Sequence, residues 1–144
     1  MIVLVDTSVW IRFLANRAPF SQGLDRLLAD DAVAGHEFVY GELLVGDRGG
    51  RQALLGSYER MEQLPAVPHS DVVAFVRARR FHGRGIGWID AHLLASALVA
   101  GARLWTADGA LAAIAAEVGI AYRVKDAGSA RGGAGAPAAS SRRS

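Results

Sequence analysis

The chain is expected to fold as a three-layer α/β/α domain with a mainly parallel central sheet, and three features of the sequence lead there. Short apolar runs without alternation, IVLV at residues 2–5, AVAG at 32–35 and RLWT at 103–106, have the pattern of strands covered on both faces. Segments of helical spacing separate them, and alternating strands and helices build parallel sheets with helices packed against them. The first run stops directly on Asp6 and the last ends two residues before Asp108, each at the start of a helix. Both acids are therefore expected at the carboxyl edge of the sheet, where open parallel sheets bind ligands.

Taken in order, the first strand leads into a helix beginning near Val9, with Thr7 and Ser8 placed to cap it. Pro19 breaks that pattern. Residues 21–29 (SQGLDRLLA) then give a short helix with Leu24, Leu27 and Leu28 on one face, weakened by Gly23. Asp30 and Asp31 close it before the second strand at 32–35. From Glu37 the text reads as a helix with Phe38, Leu44 and Val45 on its apolar side and Gly46 as its stop; Glu42 falls within it. Leu54, Leu55, Tyr58, Met61 and Leu64 keep helical spacing up to Pro65, and residues 65–68 (PAVP) leave room only for a short edge strand. Ser70 is placed to cap an amphipathic helix over 71–82 that ends in Arg77, Arg79, Arg80 and His82, followed by a loop with Gly83, Gly85 and Gly87. Residues 89–101 (IDAHLLASALVAG) form an alanine-rich helix closed by glycine, with Asp90 in its first turn. After the strand at 103–106 come a helix over 109–118 and a final strand at 120–123.

A chain of 144 residues that is 51% apolar supports one domain with a substantial core. That domain is expected to span residues 1–126. Residues 127–144 (AGSARGGAGAPAASSRRS) contain almost nothing to bury and are expected to form a disordered tail. The absence of cysteine excludes disulfides, thiolate metal sites and cysteine nucleophiles, and it agrees with a cytoplasmic location. No basic segment precedes the N-terminal apolar run, and the apolar stretch around 93–102 is too short to span a bilayer, so a soluble protein is expected. The formal charge is +2, but three arginines lie in the tail, leaving 13 basic and 14 acidic groups in residues 1–126. Nucleic-acid binding must therefore come from local clusters and not from overall basicity.

The acids form the most informative set. Asp6 and Asp108 share a strand-to-helix context, Asp90 starts a helix behind a glycine loop, and Glu42 lies among apolar neighbours. Taken singly, each has an ordinary explanation as a helix cap or surface charge. Converging in one crevice, the four would repel one another unless a divalent cation joined them. With oxygen donors and no dedicated histidine pair, Mg²⁺ or Mn²⁺ suits such a set better than zinc. In such sites the ion activates a water and stabilises charge on a phosphoryl group.

These residues carry a resemblance. VDTSVWI at residues 5–11, HEFVYGELLVG at 36–46, GRGIGWIDAHLLASA at 83–97 and LWTADGALAAIA at 104–115 resemble a PIN-domain ribonuclease, and more closely the VapC toxins of type II toxin-antitoxin pairs. With their spacers they span nearly the whole chain to about Lys125. The resemblance implies a PIN-like fold in which Asp6, Glu42, Asp90 and Asp108 match the acidic quartet that binds Mg²⁺ or Mn²⁺. Ser8 and Thr106 match the hydroxyls that orient carboxylates or waters beside it. It also implies cleavage of RNA directed at single strands, a homodimer, and neutralisation by a cognate VapB-type antitoxin. One departure is Glu37 after His36, where close relatives often have proline.

The implied chemistry is hydrolysis of an RNA phosphodiester by a metal-activated water, without a covalent enzyme intermediate. Arg77, Arg79, Arg80 and Arg84 are candidates for guiding phosphates, although a solvated helix end suits the same charges. Trp88 is a candidate for stacking on a base or for packing in the core. Trp10 and Trp105 read as structural, and His36, His69 and His92 lack the spacing of metal ligands. An alternative from another class is a PIN-like module that binds RNA or antitoxin with little turnover. A phosphatase of the haloacid dehalogenase type would require a second Asp where this chain has Ser8.

Overall fold

The computed structural model describes residues 1–124, and the segment expected to form a tail lies outside the described residues. At its centre is β1 (Val3–Val5), whose three side chains are fully buried. Parallel neighbours flank it on both sides, β2 (Val33–Ala34) and β3 (Arg103–Trp105), in the order β2-β1-β3. An unbroken apolar strand in this position requires helices over both faces. The helices of the domain are α1 (Thr7–Leu14), α2 (Phe20–Ala29), α3 (Glu37–Val45), α4 (Gln52–Glu59), α5 (His69–Arg79), α6 (Trp88–Ala100) and α7 (Gly109–Glu117), with α5 packed on α6 through Val72, Ala91 and Ala95.

The chain leaves β1 for β2 on one side and later returns to β3 on the other. The carboxyl ends of β1 and β3 thus border the sheet's switch point, the edge where open parallel sheets bind ligands. A backbone bond from Asp6 N to Trp105 O, 2.8 Å, ties these ends together. Trp10, Tyr58, Leu4, Leu43, Leu93, Leu94 and Leu104 fill the core around the sheet, all at under 2% exposure. Trp10 meets Tyr58 edge to face at 5.6 Å. The Tyr58 hydroxyl accepts the His36 amide at 2.8 Å, holding the entry to α3 against the core. Burial pushes the Tyr58 phenol far above its ordinary range.

Several sequence expectations are corrected. Residues 65–68 form no strand, because proline cannot donate to a ladder; a single parallel bridge, Gly35 to Gln63, forms just before them. The final strand reduces to one parallel bridge between Leu104 and Ala121. Ser70 does not cap α5, which begins a residue earlier behind Pro68. The buried face of α3 is Val39 and Leu43, whereas Leu44 and Val45 are 50% and 88% exposed. Gly23, which weakened the expectation for α2, sits where a Cβ would approach Trp105 Cη2 at 3.0 Å and Val124 Cγ2 at 3.2 Å. Close packing of helix on sheet, rather than backbone freedom, explains glycine there.

Candidate active site

Asp6 leaves β1 at the switch point and is 5% exposed. A carboxylate so enclosed needs donors, and two hydroxyls provide them. Ser8 Oγ donates to Asp6 Oδ2 at 2.7 Å and Thr106 Oγ1 donates to the same oxygen at 2.8 Å. Both hydroxyls are held in turn by backbone: Ala107 N donates to Ser8 Oγ and Asp108 N to Thr106 Oγ1, each at 3.0 Å. Ser8 therefore aims Asp6 instead of capping α1, for which Asp6 is the N-cap residue without a side-chain bond. Thr7, also expected as a cap, donates to Glu42 Oε1 at 2.6 Å. Sequence reasoning missed this role for Thr7. The two partners are 35 residues apart, and no local pattern signals such a pairing.

The other two acids are positioned by helix starts. Asp90 Oδ2 accepts Gly87 N at 3.0 Å, and Asp108 Oδ2 accepts Leu111 N at 3.0 Å, so both do act as caps. Yet in all four acids these bonds fall on one oxygen, leaving Asp6 Oδ1, Glu42 Oε2, Asp90 Oδ1 and Asp108 Oδ1 without a donor among the described residues. No cation balances the four, since the one ion pair among the described residues joins Arg84 to Glu117. The charges sense one another. The Asp90 carboxyl is held above its ordinary range first by burial, with Asp6, Asp108 and Glu42 adding repulsion and the Gly87 amide opposing it.

The donor set fits a hard divalent cation: oxygen only, four carboxylates and no neutralising base. The side chains are not drawn into a ready cage, because no three His, Cys, Asp or Glu groups among the described residues stand close enough together to hold an ion as placed.

Comparison with known proteins gives the family. Residues 3–117 match the PIN domain family. Ribonuclease VapC32 of Mycobacterium tuberculosis, in two strains, is 47% identical over 120 residues, covering 83% of this chain and 94% of the relative. The chain is a PIN domain of the VapC family. The crystal structure of PAE2754 from Pyrobaculum aerophilum shares the fold, with a TM-score of 0.50, 19% identity and 78% of each chain covered.

Within this PIN domain the four candidate arginines lie on the end of α5 and in the segment that follows it. Arg84 is paired with Glu117 at the end of α7, and Arg79 lies over the Phe75 ring at 5.7 Å. Arg77 and Arg80 are exposed on and just past the end of α5. Trp88 is 43% exposed and packs against His69 and His92, with ring centroids at 5.1 and 4.9 Å. His36 is fully buried. Its Nδ1 accepts Phe38 N at 3.0 Å, so Nε2 carries the proton toward Ser96 Oγ, also at 3.0 Å. Burial lowers its basicity, as it does for His92. His36 and His92 thus belong to the packing. No helix among the described residues is long and apolar enough to cross a membrane.

Proposed function

We propose that this PIN domain is a metal-dependent endoribonuclease acting as the toxin of a VapBC-type pair, with Asp6, Glu42, Asp90 and Asp108 as its catalytic acids. The observation that carries this is the shared habit of the four carboxylates: one oxygen of each is fixed by a donor, and the other is left without a donor or an ion-pair partner among the described residues. A binding module without turnover has no physical need for such a set. Its repulsion costs stability, whereas a catalyst uses it to recruit charge.

In this mechanism Asp6 and Asp90 would hold Mg²⁺ or Mn²⁺, with Glu42 and Asp108 completing the oxygen set. A bound ion of this kind supplies Lewis-acid stabilisation of phosphoryl charge and lowers the pKa of the attacking water. The chain's own residues fix where that happens. Ser8 and Thr106 pin Asp6 Oδ2, so that Oδ1 points the same way in every molecule. Thr7 does the same for Glu42, and the amides of Gly87 and Leu111 for Asp90 and Asp108. The one Ser–His pair among the described residues, Ser96 with His36, is fully buried and has the proton on His36 Nε2, so it is not arranged as a nucleophile with its base, which supports direct hydrolysis. The VapC relationship supports RNA as the substrate and a VapB-type antitoxin as partner, and the same reading includes a homodimer acting in the cytoplasm.

Expression in a bacterial host without a cognate partner tests the reading. Growth arrest with fragmented RNA by the parent, and normal growth with Asp90→Asn at equal soluble level, is the expected result. Equal toxicity of the two, or harmless parent protein, would count against it.

A further inference from the structure

Beside the acidic crevice lies a second feature that the acids do not use. A cavity of about 190 Å³ opens at the carboxyl end of β3, lined by Leu104, Trp105, Thr106, Ala112, Tyr122 and Arg123. We propose that it is a nucleobase subsite, which seats one base of the RNA next to the bond to be cut and gives the enzyme its nucleotide preference. This rests on the ribonuclease reading above for its substrate.

Three observations support that occupant. The first is size: an apolar protein cavity of about 150 Å³ takes a benzene ring, so about 190 Å³ is the scale of a single base and far short of a drug-sized pocket. The second is chemistry. The walls combine the half-buried Tyr122 ring, backed by the buried Trp105 with centroids 5.2 Å apart, with the Thr106 hydroxyl and the exposed Arg123. Stacking on aromatic rings together with a cation for the backbone is how single-stranded RNA is held. The third is place. Thr106 lines the cavity and also donates to Asp6 Oδ2 at 2.8 Å, so one side chain borders both the subsite and the acids.

The wall is held firmly enough to discriminate. Leu104 N donates to Ile120 O at 2.8 Å and Tyr122 N to Leu104 O at 2.9 Å, which lashes the Tyr122 segment to β3. Phe20 stacks on Trp105 at 6.0 Å and backs the aromatic pair from α2. A base seated here would therefore enter a preformed site at low ordering cost.

The test separates this proposal from the one it rests on. The four ribonucleoside 5′-monophosphates are titrated into ¹⁵N-labelled full-length protein without metal, for the parent, Tyr122→Ala, Tyr122→Phe and Ala112→Leu. Shift changes centred on residues 104–106, 112 and 121–123, differing among the four bases, are expected. Ala112→Leu keeps a good helix former on α7 while filling the cavity, and it should abolish them. Tyr122→Ala should weaken binding about fivefold or more, the low end of what base stacking supplies, with Tyr122→Phe close to the parent. Shifts scattered elsewhere, no shifts, or shifts unchanged in Ala112→Leu overturn the subsite. Cleavage of total RNA by the same parent sample is scored separately and bears on the ribonuclease reading. Where it occurs, one position flanking the cut should show a base preference that Ala112→Leu flattens.

Discussion

Asp6 is held by two hydroxyls on a single oxygen, and that arrangement can be taken apart quantitatively. Ser8→Ala removes a 2.7 Å donor from a carboxylate that is 5% exposed and takes the acceptor from Ala107 N. Thr106→Val removes the 2.8 Å donor and the acceptor of Asp108 N while nearly conserving shape. A hydrogen bond to a charged group contributes about 1.5–3 kcal/mol. The hydroxyls are half-buried, so the lower end applies, and each single variant should lose about 2 kcal/mol in EDTA. Because each hydroxyl partly compensates for loss of the other, the double variant should lose about 0.5–1 kcal/mol more than the sum of the singles. Urea denaturation with an unchanged m-value is the assay. Repeating both changes in an Asp6→Asn background should at least halve their cost, since the charge they serve has gone. Single variants within about 0.5 kcal/mol of the parent, or a full cost persisting in Asp6→Asn, would refute the idea that these hydroxyls exist to aim Asp6. In the active protein, Thr106→Val should lower activity by about tenfold or more through misaimed carboxylate oxygens.

Further outcomes are expected on the same grounds. In the absence of metal, Asp90→Asn should raise the thermal midpoint near neutral pH, because burial and three neighbouring acids disfavour the charge it removes; a drop in the midpoint would show that the Gly87 contact dominates. Added Mn²⁺ should raise the midpoint of the parent and do so far less in Asp6→Asn, as a ligand that binds only the folded state must. His36 has a folded pKa below its ordinary 6.5, so the unfolded chain binds the extra proton; His92 is shifted the same way. Stability is therefore complete above about 6.5 and should fall as pH drops below it, a slope that His36→Gln should flatten in denaturation curves taken between pH 7 and 5. Gly23→Ala should destabilise by about 1–3 kcal/mol despite improving helix propensity, because its Cβ meets Trp105 and Val124; a gain in stability would show that α2 can shift away from the sheet.

The parts of the fold that were legible in the sequence are those written locally. The strands at β1, β2 and β3 announce themselves by unbroken apolar runs, and Asp6 and Asp108 by their position just after such runs. What depends on partners distant in the chain was not legible. Thr7 looks like any helix cap until α3 brings Glu42 to it. Leu44 and Val45 look like core residues because nothing local tells which side of α3 meets the sheet. The strands expected at 65–68 and 120–123 failed for different reasons, the first because of proline and the second because a single bridge suffices at the sheet's edge. Arg84 lay in a run that suggested phosphate guidance, and only folding reveals Glu117 as its partner. The acids read as a candidate site only jointly, since the order β2-β1-β3 places the ends of β1 and β3 side by side.

The central claim is that the four acids form the metal-dependent centre of a ribonuclease. It is tested most directly by incubating the purified protein with total cellular RNA in Mg²⁺ or Mn²⁺ and in EDTA, beside Asp6→Asn, and mapping new RNA ends by sequencing. Cleavage at a limited set of positions, lost both in EDTA and in Asp6→Asn while the variant keeps its fold, is the predicted result. Cleavage that survives EDTA or the loss of Asp6, or none from folded, antitoxin-free protein in either metal, would contradict it.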